Sequence, residues 1–278
     1  MTTLIVRPLG GLANRIRVIK AAQSYANKYA ARLIIIWDKD NVLNAKYEDC
    51  FEPIDRVKVI NISYSGHSSL HIARKKIIHR LYLLIIKLSS QIQVYDLEVR
   101  NHLNEEKGPR IEEPFFIKLA RDYRKVYIQT CYEFHYQRDH FFIPIKKSIV
   151  QKCRTLILHS DMIGVHVRRG DNLMSHKYSP LDLFIKKMDE NIGVDPSTTF
   201  YVSTDSNEVY ETLKQIFGDK VYTAATVRSR DTLKGIQSAL LDFYCLSKCK
   251  KILGSYDSSF SEIAAKMGKI PLEVISTI

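Results

Sequence analysis

Apolar residues in this chain fall into short β-branched runs, separated by stretches in which they recur every three or four positions. The runs read as buried strands and the stretches as amphipathic helices. In the first half, Leu4-Ile5-Val6 predicts a strand, Pro8 to Asn14 a turn, and Arg15 to Ala30 a helix with Ile16, Ile19, Ala22 and Ala26 on one face. Arg32 to Trp37, Val57 to Ile60 and Lys125 to Gln129 predict three more strands. Between the last two, Ile72, Ile77, Ile78, Leu81, Leu84, Ile85 and Leu88 recur at helical spacing. Asn101 to Glu113 is polar, contains Gly108-Pro109, and reads as a loop. The second half alternates throughout. It predicts helix Ile145 to His159, strand Met162 to Val167, a helix from Ser179-Pro180 to Met188, strand Phe200 to Ser206 and helix Glu208 to Phe217. Strand Val221-Tyr222, helix Gly235 to Lys248, strand Lys251 to Gly254 and helix Ser261 to Met267 complete it. Such alternation predicts an α/β fold with a mostly parallel, doubly wound sheet. At 278 residues the chain has room for two domains, with the boundary placed near residue 150 (1–150 and 151–278).

In an open α/β sheet, ligands bind beyond the carboxyl ends of the strands. Three of the predicted strands end in polar clusters. The first runs from His166 and Val167 straight into Arg168-Arg169-Gly170-Asp171. Arginine stays charged, and its planar fork matches phosphate oxygens two at a time, so the pair suggests an anion site. A surface ion pair with Asp171 explains the same residues. The second strand ends in Ser203-Thr204-Asp205-Ser206, and the third in Ser255-Tyr256-Asp257-Ser258-Ser259-Phe260. Ser258 and Ser259 stand where a helix begins, as an anion site or as a plain N-cap. With two arginines on the same sheet edge, a diphosphate is the better reading. Asp242 lies among Leu240, Leu241, Phe243 and Leu246. If buried it needs donors, which a guanine or ribose supplies; otherwise it lies at the helix's solvent edge.

The first half offers weaker signals. Gly10-Gly11 follows the first strand and opens a helix, as in a Rossmann-like unit, but GxGxxG is absent and NAD binding is unsupported. Asp38-Lys39-Asp40 resembles the DxD that holds a divalent metal in some transferases, in a setting where acids are common at strand exits. Tyr132, Phe134, His135 and Tyr136 suit sugar rings, but such aromatic clusters more often serve packing.

Charge changes this picture more than composition does. The formal net charge is +12, which admits nucleic acid, an anionic membrane or a nucleotide-linked substrate as partner. His67 to Lys87 carries Arg74, Lys75, Lys76, Arg80 and Lys87 without an acid. This segment reads either as a core helix with a solvated basic face, the preferred reading, or as a helix in peripheral contact with an anionic membrane. No apolar stretch reaches the ~18 residues of a membrane span, and the N-terminus does not resemble a secretory leader. Cys50, Cys131, Cys153, Cys245 and Cys249 are odd in number and scattered, so a reduced, cytoplasmic setting is expected, with Cys245 and Cys249 as packing residues.

Taken together, the motifs resemble those of the α1,2-/α1,6-fucosyltransferase and protein O-fucosyltransferase superfamily. HxRR followed by Asp stands as His166-Val167-Arg168-Arg169-Gly170-Asp171, and an apolar strand ending in Thr-Asp as Phe200 to Asp205. Asp-x-x-x-Leu-Ser leading to Ser-Ser stands as Asp242 to Ser247 and then Ser258-Ser259-Phe260. Gly10-Gly11-Leu12-Ala13-Asn14-Arg15 resembles the glycine-rich first turn, in which an Asn often lies near the sugar.

The resemblance implies a GT-B fold of two Rossmann-like domains facing across a cleft, an N-terminal acceptor-side domain and a C-terminal GDP-sugar-binding domain. It implies inverting transfer of fucose from GDP-fucose to a hydroxyl, with no metal or other cofactor. By carry-over, Arg168 neutralises the leaving β-phosphate with support from Arg169, Ser258 and Ser259 hold phosphate oxygens, and His166 and Asp242 contact the guanosine. Gly11, Asn14, Asp205 and Phe260 complete the donor site, and Asp171 and His176 are the candidates for general base. A glycan or lipid-linked oligosaccharide is the expected acceptor, and no nucleic acid is expected as a partner. Two alternatives stay open: transfer from another GDP-sugar, and a non-catalytic basic protein that binds nucleotides or nucleic acid.

Overall fold

The computed structural model describes residues 1–63, 70–101, 114–135, 143–156, 161–224, 229 and 231–278, with the backbone alone for residues 70–76 and 101. The chain divides into two compact units, Met1–Pro144 and Ile145–Ile278. The division precedes residue 150 because the helix that follows Pro144 packs with the second unit, against the helix that carries Asp242.

The first unit runs β1 (Thr3–Pro8), α1 (Leu12–Lys28), β2 (Arg32–Lys39), α2 (Tyr47–Cys50), β3 (Val57–Ser63), α3 (Leu70–Leu88), β4 (Ile92–Tyr95), α4 (Asp96–Asn101), α5 (Pro114–Asp122) and β5 (Lys125–Thr130). Its sheet is parallel, in the order β3-β2-β1-β5-β4. Ile5, Ile36, Ile62 and Tyr127 meet Leu83 and Ile86 of α3 in one core cluster. β4, α4 and α5 fall where the sequence predicted no element. Residues 102–113 of the predicted loop, Tyr136 in the aromatic run and the side chains of Arg74 to Lys76 lie outside the described residues.

α3 corrects the preferred reading of the basic segment. Leu83 and Ile86 face the core, but Ile77, Ile78, Leu81, Leu84, Ile85 and Leu88 are exposed. The outer face of this helix is therefore apolar as well as basic.

The second unit runs α6 (Lys147–Leu156), β6 (Ile163–Val167), α7 (Leu173–Tyr178), α8 (Leu181–Val194), β7 (Phe200–Thr204), α9 (Asn207–Phe217), β8 (Val221–Tyr222), α10 (Leu233–Leu246), β9 (Lys251–Ser255), α11 (Ser259–Gly268) and β10 (Leu272–Ile275). Its sheet is also parallel, in the order β10-β9-β6-β7-β8. Chain order reverses between β6 and β9, which makes that pair the topological switch point, where open α/β sheets bind ligands. Every residue of β6 and β7 is buried, as expected of central parallel strands covered on both faces. Ile163, Val165 and Val167 pack with Phe184, Met188, Leu213 and Phe217 of α8 and α9. The alternate positions, Gly164 and His166, point to the other face.

Gly164 is required for that second packing. A Cβ there would lie 2.9 Å from Leu246 Cδ2 and 3.3 Å from both Cys249 Sγ and Ile252 Cγ1. Gly164→Val is expected to cost about 1–3 kcal/mol through overpacking, read as a lower urea midpoint. An unchanged midpoint would show that α10 is not seated against β6 in this way.

Candidate active site

The carboxyl ends of β6, β7 and β9 are tied together by side chains. Ser255 Oγ donates to the carbonyl of His166 at 3.1 Å and accepts from the Arg168 amide at 2.9 Å, which fixes the end of β9 to the end of β6. Asp205, just past β7, accepts from the Arg169 amide at 2.8 Å with one oxygen and from the Arg168 guanidinium with the other. The same guanidinium also donates to Asp171. Arg168 is thus an ion-pair partner of Asp171, as one sequence reading had it, but its firmer anchor is Asp205. The Asp205 side chain is 27% exposed and that of Asp171 is 71% exposed.

Gly170 makes this turn possible. Its φ is +38°, and a Cβ there would lie 2.6 Å from Asp205 Oδ2. Asn172 then caps α7, accepting from the Ser175 amide at 3.0 Å and donating to the Asp257 carbonyl at 2.9 Å. Ser175 Oγ donates to the Tyr256 carbonyl at 2.6 Å. These bonds lash the turn after β6 to the turn before α11.

Ser258 holds the N-cap position of α11, yet its side chain makes no capping bond. Its hydroxyl lies 3.5 Å from His166 Nδ1 instead. Ser259 begins the helix, so the positive end of a ten-residue helix, uncapped by a side chain, stands at the end of β6 next to His166. His166 is 5% exposed and stacks on Phe260, with ring centroids 4.8 Å apart; Phe260 in turn meets Phe243 edge-on at 5.4 Å. Burial, reinforced by the Arg168 charge, pushes the His166 imidazole down to about 3, so it is a neutral aromatic group at physiological pH.

Asp242 is buried, so it does not lie at the helix's solvent edge. The Tyr201 hydroxyl donates to Asp242 Oδ1 at 2.6 Å and accepts from the Ala224 amide at 3.2 Å. A donor that the sequence reading sought in a ligand thus comes from β7. Burial and the adjacent Asp242 carboxylate raise the Tyr201 phenol well above its usual range. His176 stands apart from this network, lining a cavity of about 300 Å³ with Arg169, Ser206 and Glu208.

The remaining candidates belong to the first unit. Gly10, rather than Gly11, is the constrained glycine: its φ is +79° and a Cβ would lie 2.8 Å from Asn14 Nδ2, whereas nothing lies within 4 Å of one on Gly11. Asn14 Oδ1 is buried and has no hydrogen-bond partner among the described residues. The Asp38 and Asp40 carboxylates are engaged by cations, Asp38 by Arg7 Nε at 2.8 Å and Asp40 by Arg15 Nη2 at 2.8 Å. Arg15 is fully buried, donates to the Gly10 carbonyl at 2.8 Å and lies 5.0 Å from the centroid of the Trp37 ring. Burial pushes the Asp38 carboxyl up, against the pull of Arg7.

Three contributors escaped the sequence reading: Ser255 as a bridge between strands, Tyr201 as the donor to Asp242, and Asn172 as the clasp on Asp257. Tyr201 left a signal in its hydroxyl in the middle of a strand buried throughout, and Ser255 in its place in the polar cluster that ends its strand.

The low affinity of His166 for protons has a consequence for stability. The folded state excludes a proton that the unfolded chain accepts near pH 6.5, so the unfolded state binds more protons below that pH. Stability is complete above about 6.5 and falls as pH drops toward about 3. From about pH 7.5 to about pH 5, the unfolding free energy of the wild type should fall about 2 kcal/mol more than that of His166→Gln, measured by urea titration. Parallel losses in the two proteins would contradict a buried, neutral imidazole.

The glycosyl transferase family 11 model matches residues 56–268. No curated protein matches the chain in sequence. Among solved structures, the chain is similar in fold to NodZ α-1,6-fucosyltransferase soaked with GDP-fucose, at TM-score 0.60 and 19% identity over 96% of this chain and 93% of that one. NodZ is a protein of Bradyrhizobium. A mutant of Arabidopsis thaliana FUT1 in complex with GDP aligns at TM-score 0.58 and 13% identity, over 98% of this chain and 70% of that one. POFUT1 in complex with GDP aligns at TM-score 0.52 and 10% identity, over 99% and 98%. The two parallel five-stranded sheets are those of the GT-B fold expected from the motifs. With the family model spanning most of its length, including all the strand-end clusters of the second unit, the chain belongs to glycosyl transferase family 11.

Proposed function

We propose that this glycosyltransferase moves fucose from GDP-fucose, with inversion and without a metal, to a hydroxyl of a glycan or lipid-linked oligosaccharide at an anionic membrane surface. The observation that carries the reading is the meeting of two features at the end of β6, next to the switch point with β9: Arg168, its guanidinium held by Asp205, and the α11 N-terminus that no side chain caps, whose Ser258 hydroxyl lies 3.5 Å from His166 Nδ1. The relatives in fold support the choice of donor, since NodZ was soaked with GDP-fucose and POFUT1 is known in complex with GDP-fucose.

In this reading the second unit binds the donor and the first serves the acceptor. The diphosphate lies across the α11 N-terminus, with Ser258 and Ser259 on its oxygens. It displaces the exposed Asp171 from Arg168, while Asp205 keeps the guanidinium in place. As the glycosidic bond breaks, negative charge gathers on the β-phosphate. A fixed cation and oriented N–H groups stabilise that charge without reorganising. Arg169, its amide pinned by Asp205, supports the same charge. Neutral His166, stacked on Phe260, and Asp242 form the guanosine end; Asp242 accepts from the base as well as from Tyr201. Asp171, once released, and His176 remain the candidates to take the acceptor proton.

Arg168→Ala should lower transfer from GDP-fucose by roughly a thousandfold with an unchanged circular dichroism spectrum. Wild-type turnover should persist in EDTA. Retained turnover by the variant would remove Arg168 from the leaving-group role, and loss in EDTA would point to a metal.

A further inference from the structure

The outer face of α3 carries none of the residues assigned to the donor site. Ile77, Ile78, Leu81, Leu84, Ile85 and Leu88 follow the spacing i, i+1, i+4, i+7, i+8, i+11, which puts all six on one stripe over three turns. Their exposures run from 50% at Leu84 to 74% at Leu88. The opposite face is the one that reaches the core through Leu83 and Ile86. A contiguous ridge of six large aliphatic side chains marks a surface meant to be covered.

The charge around the ridge selects what covers it. From Arg56 to Tyr95 the chain has no acidic residue, while Arg56, Lys58, Arg74, Lys75, Lys76, Arg80 and Lys87 are basic. Arg80 is exposed on α3 itself. A second copy of the chain laid on the ridge would bring two such segments together; Asp55 pairs Arg56 at the edge of the segment, and no carboxylate within it answers the remaining cations. A bilayer containing anionic phospholipid supplies both requirements, hydrocarbon for the aliphatic side chains and negative headgroups for exposed Arg80 and the other cations of this stretch of sequence. Among the described residues no helix is long and apolar enough to cross a membrane, so α3 would lie in the plane of the interface.

We infer that α3 is a membrane-docking helix that seats its aliphatic ridge in the surface of an anionic phospholipid bilayer. This deepens the proposed function, whose acceptor is presented at such a surface, and it accounts for the concentration of positive charge in a segment remote in sequence from the strand-end clusters.

The test uses the full chain and two vesicle preparations, phosphatidylcholine alone and phosphatidylcholine with about a third phosphatidylglycerol. The wild type should co-sediment with the second and much less with the first, and should come off in high salt. Leu81→Ser combined with Ile85→Ser, both on the exposed face, should lower partitioning by about a hundredfold. Affinity for GDP, measured by calorimetry on the same variant, should not change. That separates the two claims: absent GDP binding by the wild type would defeat the proposed donor, whereas vesicle binding speaks to α3 alone. Wild type that ignores anionic vesicles overturns the inference, whether it is a monomer or a dimer split by the same substitutions. So does a variant that partitions as well as the wild type.

Discussion

The Asp205 carboxylate is the interaction on which the site depends. One oxygen receives the Arg169 amide and the other the Arg168 guanidinium, so a single side chain past β7 sets both the backbone path and the side-chain aim of the turn after β6. Two adjacent arginines at the end of a buried strand repel each other and resist desolvation; burial does lower the proton affinity of Arg169, and Asp205 opposes that shift. The carboxylate makes the arrangement tenable, and its close approach requires a glycine at 170. Ser255 does the corresponding work from β9. This end of the sheet is therefore organised from three strands at once, and for the proposed role that is the condition under which charges stabilise a transition state most effectively.

Much of this was legible in the order of residues. β6, β7 and β9 are aliphatic runs that end abruptly in polar groups, and a parallel sheet places those ends on one edge whatever the details of packing. What could not be read was how the ends join. Ser255 lies 87 residues from the Arg168 amide it receives, and Tyr201 lies 41 residues from the Asp242 carboxylate to which it donates. Such pairings follow from strand register rather than from local pattern. Asp242 was recognised as anomalous in an apolar helix, and the anomaly was real, but a donor stood on the neighbouring strand.

Short elements were lost for a different reason. α7 is six residues, Leu173 to Tyr178, too short for a helical period to declare itself; it is held by its Asn172 cap and by Ser175. β10 is four residues, and exists because β9 offers it a parallel edge. In α3 the period was clear, yet a period does not say which stripe meets the core. Apolar residues cover most of its circumference, and the sheet accepts only the face of Leu83 and Ile86. The remainder, which carries exposed Arg80 in a stretch of sequence rich in basic residues, is left as a surface with a chemistry of its own.

The central claim is that the Arg168 clamp and the α11 N-terminus form the diphosphate site of a GDP-sugar. Isothermal titration of the wild type and of Asp205→Asn with GDP and with UDP tests it most directly. The account predicts that GDP binds the wild type, that UDP binds more weakly, and that Asp205→Asn weakens GDP by roughly ten- to a hundredfold, as expected for a charge-assisted pair. No heat from GDP, tighter binding of UDP, or a variant indifferent to the loss of the Asp205 charge would contradict it.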